Sequence, residues 1–155
     1  MIRAEASIHI DAGQREVLES VSDLELYRQA DTKITKVLHP PVVSEVMPHS
    51  RTRYRGRIRG IPTPPEWQSV ELVPWRTLTF ESEGGQWTNM LVHFIGGFVC
   101  EPQPDGGTTV LHFEQFTFKG PARWIAEPTL RAWLQRDIER EVQDLKILIE
   151  TGPAE

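Results

Sequence analysis

The chain has 155 residues, 39% hydrophobic and 25% charged, enough for one domain, 1–155, with a sizeable core. Its formal charge of −5 argues against a surface built for phosphate backbones, so no nucleic-acid partner is expected. Cys100 is the only cysteine, which excludes an intramolecular disulfide and any multi-cysteine metal centre. No run approaches the roughly 20 apolar residues that span a bilayer, and the N-terminus carries no apolar signal core. A cytoplasmic location without integral membrane association is therefore expected.

Ile2, Ala4, Ala6, Ile8 and Ile10 alternate with polar residues, the pattern of a strand with one buried face. Asp11 followed by Gln14 fits a helix start, and Ser22 with Glu25 repeats the spacing, which predicts two short helices. From residue 33 to 118 strand follows strand. Pro40 and Pro41 interrupt the first of them, where a bulge or an edge is expected because proline cannot donate to a ladder. "RTRYRGRIRG" (51–60) then sets Arg51, Arg53, Arg55, Arg57 and Arg59 on one face of a strand. Five buried guanidinium groups would each need partners that the sequence does not offer, so the row is expected to face water, with Glu45 and Glu66 near it.

"WQSVELV", "RTLTFES", "WTNMLVHFIGGFVCE" and "TTVLHFEQFTF" continue the series, with "PQPDGG" as a hairpin turn before the last. At the end, Leu130, Leu134, Ile138, Val142, Leu145 and Leu148 or Ile149 trace the apolar stripe of a long helix. Arg136, Asp137, Glu139, Arg140, Glu141 and Asp144 fill its remainder; Pro128 starts or kinks it, and Gly152 and Pro153 stop it.

These elements make an α+β chain: a curved antiparallel sheet of about seven strands around one terminal helix, with two short helices after the first strand. A sheet gripping a single helix need not fill completely, and the gap becomes a pocket. Gly56, Gly60, Gly96 and Gly97 add bends or space. The order of elements, with "ASIHIDAGQREVLESVSDLELY", "PDGGTTVLHF" and "LQRDIEREVQDLKILIE", resembles the START/Bet v1-like (SRPBCC) superfamily, in its polyketide cyclase/dehydrase and lipid-transport branch. That resemblance implies a helix-grip fold enclosing a cavity for apolar or aromatic molecules.

Strand facing decides which residues line the cavity. In 66–73 the pattern alone permits either Trp67, Ser69, Glu71 and Val73 inward, or Gln68, Val70 and Leu72. "WQSVE" is similar to the first half of the Trp-x-Ser-x-Arg pattern of the superfamily's aromatase/cyclases, which implies Trp67, Ser69 and Glu71 inside. Glu71 then stands where those enzymes carry an arginine, and Ser82 stands for a second. Both changes remove a cation able to stabilise an enolate. In the last strand His112 and Glu114 share a face with Val110, Phe116 and Phe118, opposite Leu111, Phe113 and Gln115, and either face could turn inward.

The resulting candidates are Glu71 and His112 for acid–base catalysis. Tyr54, Trp67, Ser69, Phe80, Met90, Phe94, Phe98, Glu114, Phe116 and Trp133 are candidates for ligand binding. The five histidines show no ligand spacing with a nearby carboxylate, so neither a metal nor a cofactor is expected. The expected activity is binding or carriage of a hydrophobic small molecule, aromatic, polyketide-like or lipid. The alternative is a polyketide cyclase or dehydratase using the same cavity. A homodimer is left open.

Overall fold

The computed structural model of the protein describes residues 1–85 and 91–153. The N-terminal alternation becomes β1 (Ile2–Ile10), followed by α1 (Gln14–Ser22) and α2 (Leu24–Tyr27). Six strands come next: β2 (Ile34–His39), β3 (His49–Ile58), β4 (Ile61–Val73), β5 (Thr77–Ser82), β6 (Val92–Pro102) and β7 (Thr108–Phe118). A 3-10 turn at Gly120–Ala122 leads into α3 (Arg123–Thr151).

The strands form one antiparallel sheet in the order β1-β7-β6-β5-β4-β3-β2. From β2 to β7 each strand pairs with its successor, as short connections favour. β1 and β2 lie at opposite edges of the sheet, joined by α1 and α2. β2 ends just before Pro40 and shifts register twice against β3, so the proline pair follows an edge strand that is also irregular.

The helix caps differ from expectation. Gly13 stands at the start of α1 without a side-chain cap, and the Asp11 amide instead donates to Glu150 Oε1 on α3 at 2.9 Å. Asp23, not Ser22, caps α2, accepting from the Leu26 amide at 3.2 Å. Pro128 neither starts α3 nor ends it: the helix begins five residues earlier and runs through it. Gly152, at φ 87°, stops the helix by donating to the Leu148 carbonyl at 3.0 Å.

α3 packs on β1 and β7, and two apolar clusters form the core. The larger joins α1, α2, the strands and the C-terminal half of α3 through Val17, Leu18, Leu78, Phe98, Val110 and Leu145. The smaller joins Ile2 and Ala4 to Leu134 and Ile138. The stripe on α3 is not wholly apolar, however. Asp137 and Glu141, assigned from the sequence to the wet remainder, are buried at 8% and 1% exposure. They stand three residues after Leu134 and Ile138, so one helix face holds all four.

One glycine is fixed by contact. A Cβ on Gly97 would stand 2.2 Å from the Leu78 carbonyl oxygen, so β5 and β6 approach as they do only because that position has no side chain.

Candidate ligand cavity and a buried charge cluster

Leu78, Phe80 and Ser82 form the buried face of β5, and their cross-strand partners Leu72, Val70 and Gln68 must share it. β4 therefore turns Gln68, Val70 and Leu72 inward and puts Ser69 and Glu71 in water. This reverses the facing that the Trp-x-Ser resemblance implied. Trp67 lies on the outer face beneath two members of the arginine row, with the guanidinium of Arg51 at 4.2 Å and that of Arg53 at 5.7 Å from its ring centre. Trp133 packs in the smaller core cluster, away from the cavity. Met90 falls outside the described residues.

On β7 the inward face carries Val110, His112, Glu114 and Phe116. Together with the inner sides of β3 to β6, with α2 and with residues 31–34, it bounds a cavity of about 270 Å³. No described residue of α3 lines it, so the pocket lies between the sheet and α2 and not, as expected, in the gap between the sheet and the terminal helix. Of the candidates read from the sequence, Tyr54, Phe80, Phe94, Phe98, His112, Glu114 and Phe116 line it; Glu71, Trp67, Ser69 and Trp133 do not. Gly56, Gly96 and Gly97 leave room in the same wall, whereas Gly60 sits in the β3–β4 turn at φ 80°. Exposed Arg57, Pro64 and Leu91 mark its mouth.

The closed end is charged. Lys33, buried just before β2, places Nζ 2.7 Å from Asp137 Oδ2, 2.7 Å from Glu141 Oε2, 2.9 Å from Asp31 Oδ1 and 3.2 Å from Glu114 Oε1. Burial opposes the ammonium charge, but Asp31, Glu114 and Asp137 outweigh it and hold the lysine protonated well above its ordinary range. Burial also works against the Glu114 carboxylate, and Lys33 and His112 overcome it, keeping the group ionised far below its usual range. Glu141 is the exception. Burial, with Asp144 nearby, pushes its carboxyl well above the ordinary range, although one oxygen touches Lys33.

His112 completes the group. Its ring stacks on Phe98 at 4.3 Å, and Nδ1 lies 2.8 Å from the Gly97 carbonyl. A carbonyl only accepts, so Nδ1 carries a proton, and Nε2 is the ring atom that faces the carboxyl groups. Nε2 approaches Glu141 Oε1 to 2.9 Å and Glu114 Oε1 to 3.6 Å, yet makes no hydrogen bond among the described residues. Tyr54, whose hydroxyl accepts from Gln68 Nε2 at 3.2 Å, is pushed up by burial and by Asp31, so it stays a neutral phenol. The Cys100 thiol is buried and pushed up to about 12, which removes it as a nucleophile.

The arginine row faces out as expected, but its partners differ. Arg51 makes two 2.6 Å bonds to Glu83, Arg57 donates to the Thr32 carbonyl at 3.2 Å, and Arg59 donates to the Thr129 carbonyl at 3.1 Å. Glu45 instead accepts from the Trp75 indole. Glu66 lies on the cavity wall, bonded to Ser82 and raised by burial.

Sequence reasoning missed Asp31, Lys33, Asp137 and Glu141. For the two helix residues a signal existed in their spacing from Leu134 and Ile138; for Asp31 and Lys33, in a connecting segment, none did.

Comparison with known proteins agrees with this architecture. No curated protein matches the chain in sequence. Among solved structures, TTHA0849 from Thermus thermophilus superposes with a TM-score of 0.75 at 16% identity, covering 96% of this chain and 97% of that one. The Zhui aromatase/cyclase from Streptomyces sp. R1128 gives 0.74 at 16% identity, covering 96% and 93%. A START superfamily protein from Mycobacterium smegmatis gives 0.74 at 16% identity, covering 96% and 97%. At such identities these likenesses speak for the fold. The sequence itself carries the family pattern across residues 1–150, and on that match the chain belongs to the polyketide cyclase/dehydrase and lipid-transport family.

Proposed function

We propose that the protein binds a small, mostly apolar molecule of one or two rings, with a polar group at the end that reaches the charged floor of the cavity. The observation that carries this reading is the wall itself: aromatic rings from β5, β6 and β7 surround a space that ends at Lys33, His112 and Glu114. Ligand sites combine an apolar lining with a few converging polar groups in this way. Size narrows the class. A cavity of about 150 Å³ holds benzene, so 270 Å³ suits a compact ring system better than an extended polyketide chain. Tyr27 Oη and Gln68 Oε1, both buried without a partner among the described residues, supply further polar anchors on the wall.

A second reading, acid–base turnover of a polyketide-like substrate, draws on His112, whose tautomer the Gly97 carbonyl fixes. Glu71 has no part in it, being on the far side of the sheet.

The test is calorimetric titration with 2-naphthol, a two-ring phenol, against the native protein and Val92→Trp, which fills the mouth side of the wall. Saturable 1:1 binding, weakened at least about tenfold by the variant, is expected; that factor corresponds to about 1.4 kcal/mol. Absence of binding up to millimolar probe, or equal binding to both proteins, rules the reading out.

A further inference from the structure

Three atoms at the floor of the cavity stand out: His112 Nε2, Glu114 Oε2 and Glu141 Oε1 are all buried and lack a hydrogen-bond partner among the described residues. Buried acceptors are normally satisfied, so three together call for an explanation. Their other atoms are held. Glu114 Oε1 and Glu141 Oε2 face Lys33 Nζ, and His112 Nδ1 donates to the Gly97 carbonyl. What remains is one imidazole nitrogen and one oxygen from each of two carboxyl groups, gathered in one small cluster.

From this geometry we propose that His112, Glu114 and Glu141 form a binding site for one divalent transition-metal ion, with zinc as the best-fitting case. Ligand atoms from the three residues lie within 4.8 Å of one another. Donors about 2.0–2.2 Å from a tetrahedral ion stand roughly 3.3–3.6 Å apart. Of the proposed donors, His112 Nε2 and Glu141 Oε1 stand 2.9 Å apart, so they must part by a few tenths of an ångström to take such an ion between them. A histidine whose second nitrogen donates to a backbone carbonyl is the usual form of a metal-bound imidazole, and carboxylates held by an outer hydrogen bond are its usual companions. Lys33 and Gly97 occupy those outer positions.

Charge points the same way. Asp31, Glu114, Asp137 and Glu141 surround Lys33, and Arg140 Nη2 reaches Asp137 Oδ1 at 2.7 Å. Metal binding requires its carboxyl ligands ionised, and four carboxylates against Lys33 and Arg140, which Asp144 also engages, then leave an excess of negative charge that a divalent ion offsets. Size separates an ion from an organic cation: the three atoms are closed to solvent, so a ligand ammonium cannot touch them. His112 and Glu114 belong to the cavity wall, which gives the ion its route in and turns its remaining coordination position toward bound ligand. The inference is independent of which molecule fills the cavity.

The experiment uses full-length protein stripped with a chelator, titrated with zinc by calorimetry and with cobalt(II) by visible absorption. One ion per chain is expected, with a ligand-field band for cobalt and a higher Tm when loaded. Glu141→Gln and His112→Gln should each weaken binding by at least about ten- to a hundredfold. Should the His112 variant fail to fold, Glu114→Gln replaces it. His9→Gln, at the surface pair with Asp105, should bind as the native protein does. No binding below millimolar metal overturns the proposal, as a proton shared between His112 and Glu141 would predict. So does binding that survives both cavity variants.

Discussion

The row of arginines along β3 and into the turn after it, and the lone buried Lys33, are two cationic regions that behave in opposite ways. Five guanidinium groups stand at the surface or half-buried: Arg51, Arg57 and Arg59 find a carboxylate or a carbonyl, Arg53 lies by the Trp67 ring with its Nε buried and unpaired among the described residues, and Arg55 is exposed. One ammonium is buried, with four carboxylate oxygens within 3.2 Å. Charge number therefore says little about importance. In water an ion pair competes with good solvation and contributes little; in the interior a charge without its partner is a large liability. Position, not count, makes Lys33 the cation on which the fold depends.

The strongest way to break that contrast is Lys33→Met, which keeps an unbranched chain only one atom shorter and removes its charge. Four buried carboxyls lose their common partner, and removal of one member of a buried ion cluster costs about 3–5 kcal/mol. At roughly 2–4 °C per kcal/mol for a chain of this size, Tm should fall by about 10 °C. Adding Glu114→Gln and Asp137→Asn should recover part of the loss, because it removes the unpaired charges. A triple variant no more stable than Lys33→Met would show that packing, not charge, makes the lysine necessary.

Gly97→Ala tests the frame around the cluster. Its methyl group would meet the Leu78 carbonyl and the Thr79 Cα, forcing β5 and β6 apart. Overpacking of this kind costs about 1–3 kcal/mol, measurable as a lower urea midpoint with an unchanged slope. Because the Gly97 carbonyl also holds His112, zinc affinity should fall with stability. A variant as stable as the native protein would mean the strands can part without cost, and the tight β5–β6 approach would lose its meaning.

The sequence discloses these two regions unequally, for a physical reason. Alternation in β1, the proline pair after β2 and the stripe from Leu130 to Leu148 are local patterns, each readable within a dozen residues, so the sheet and the gripping helix were legible. The outward arginine row was legible too, since five buried guanidinium groups would lack partners. Facing in β4 was not: Trp67 and Val73 on one side balance Val70 and Leu72 on the other, and only the pairing with Leu78, Phe80 and Ser82 decides. The charge cluster was least legible. It joins residues 31 and 33, 112 and 114, and 137 and 141, brought together only when β7 lies between β1 and β6 and α3 crosses them. Asp137 and Glu141 resemble solvated helix residues until Lys33 is known to lie opposite them.

The smallest expected effect sharpens the comparison from its other side. Arg55 sits mid-row, exposed, where the β3–β4 pairing slips between Tyr54 and Gly56. Its backbone carbonyl accepts from the Thr35 hydroxyl at 3.0 Å, a bond that a side-chain change leaves in place. Arg55→Gln should shift Tm by less than about 2 °C, the range of ordinary surface substitutions. The difference should shrink further at 1 M salt, where screening acts over about 3 Å. Lys33→Met should lose nearly as much stability at 1 M salt as at 0.1 M, because mobile ions do not reach a buried ammonium. If Arg55→Gln proved costly, or if salt erased the effect at Lys33, the two regions would not differ in kind. The carboxylates around Lys33 would then be solvated like the acids outside, and would have no need of a cation between them.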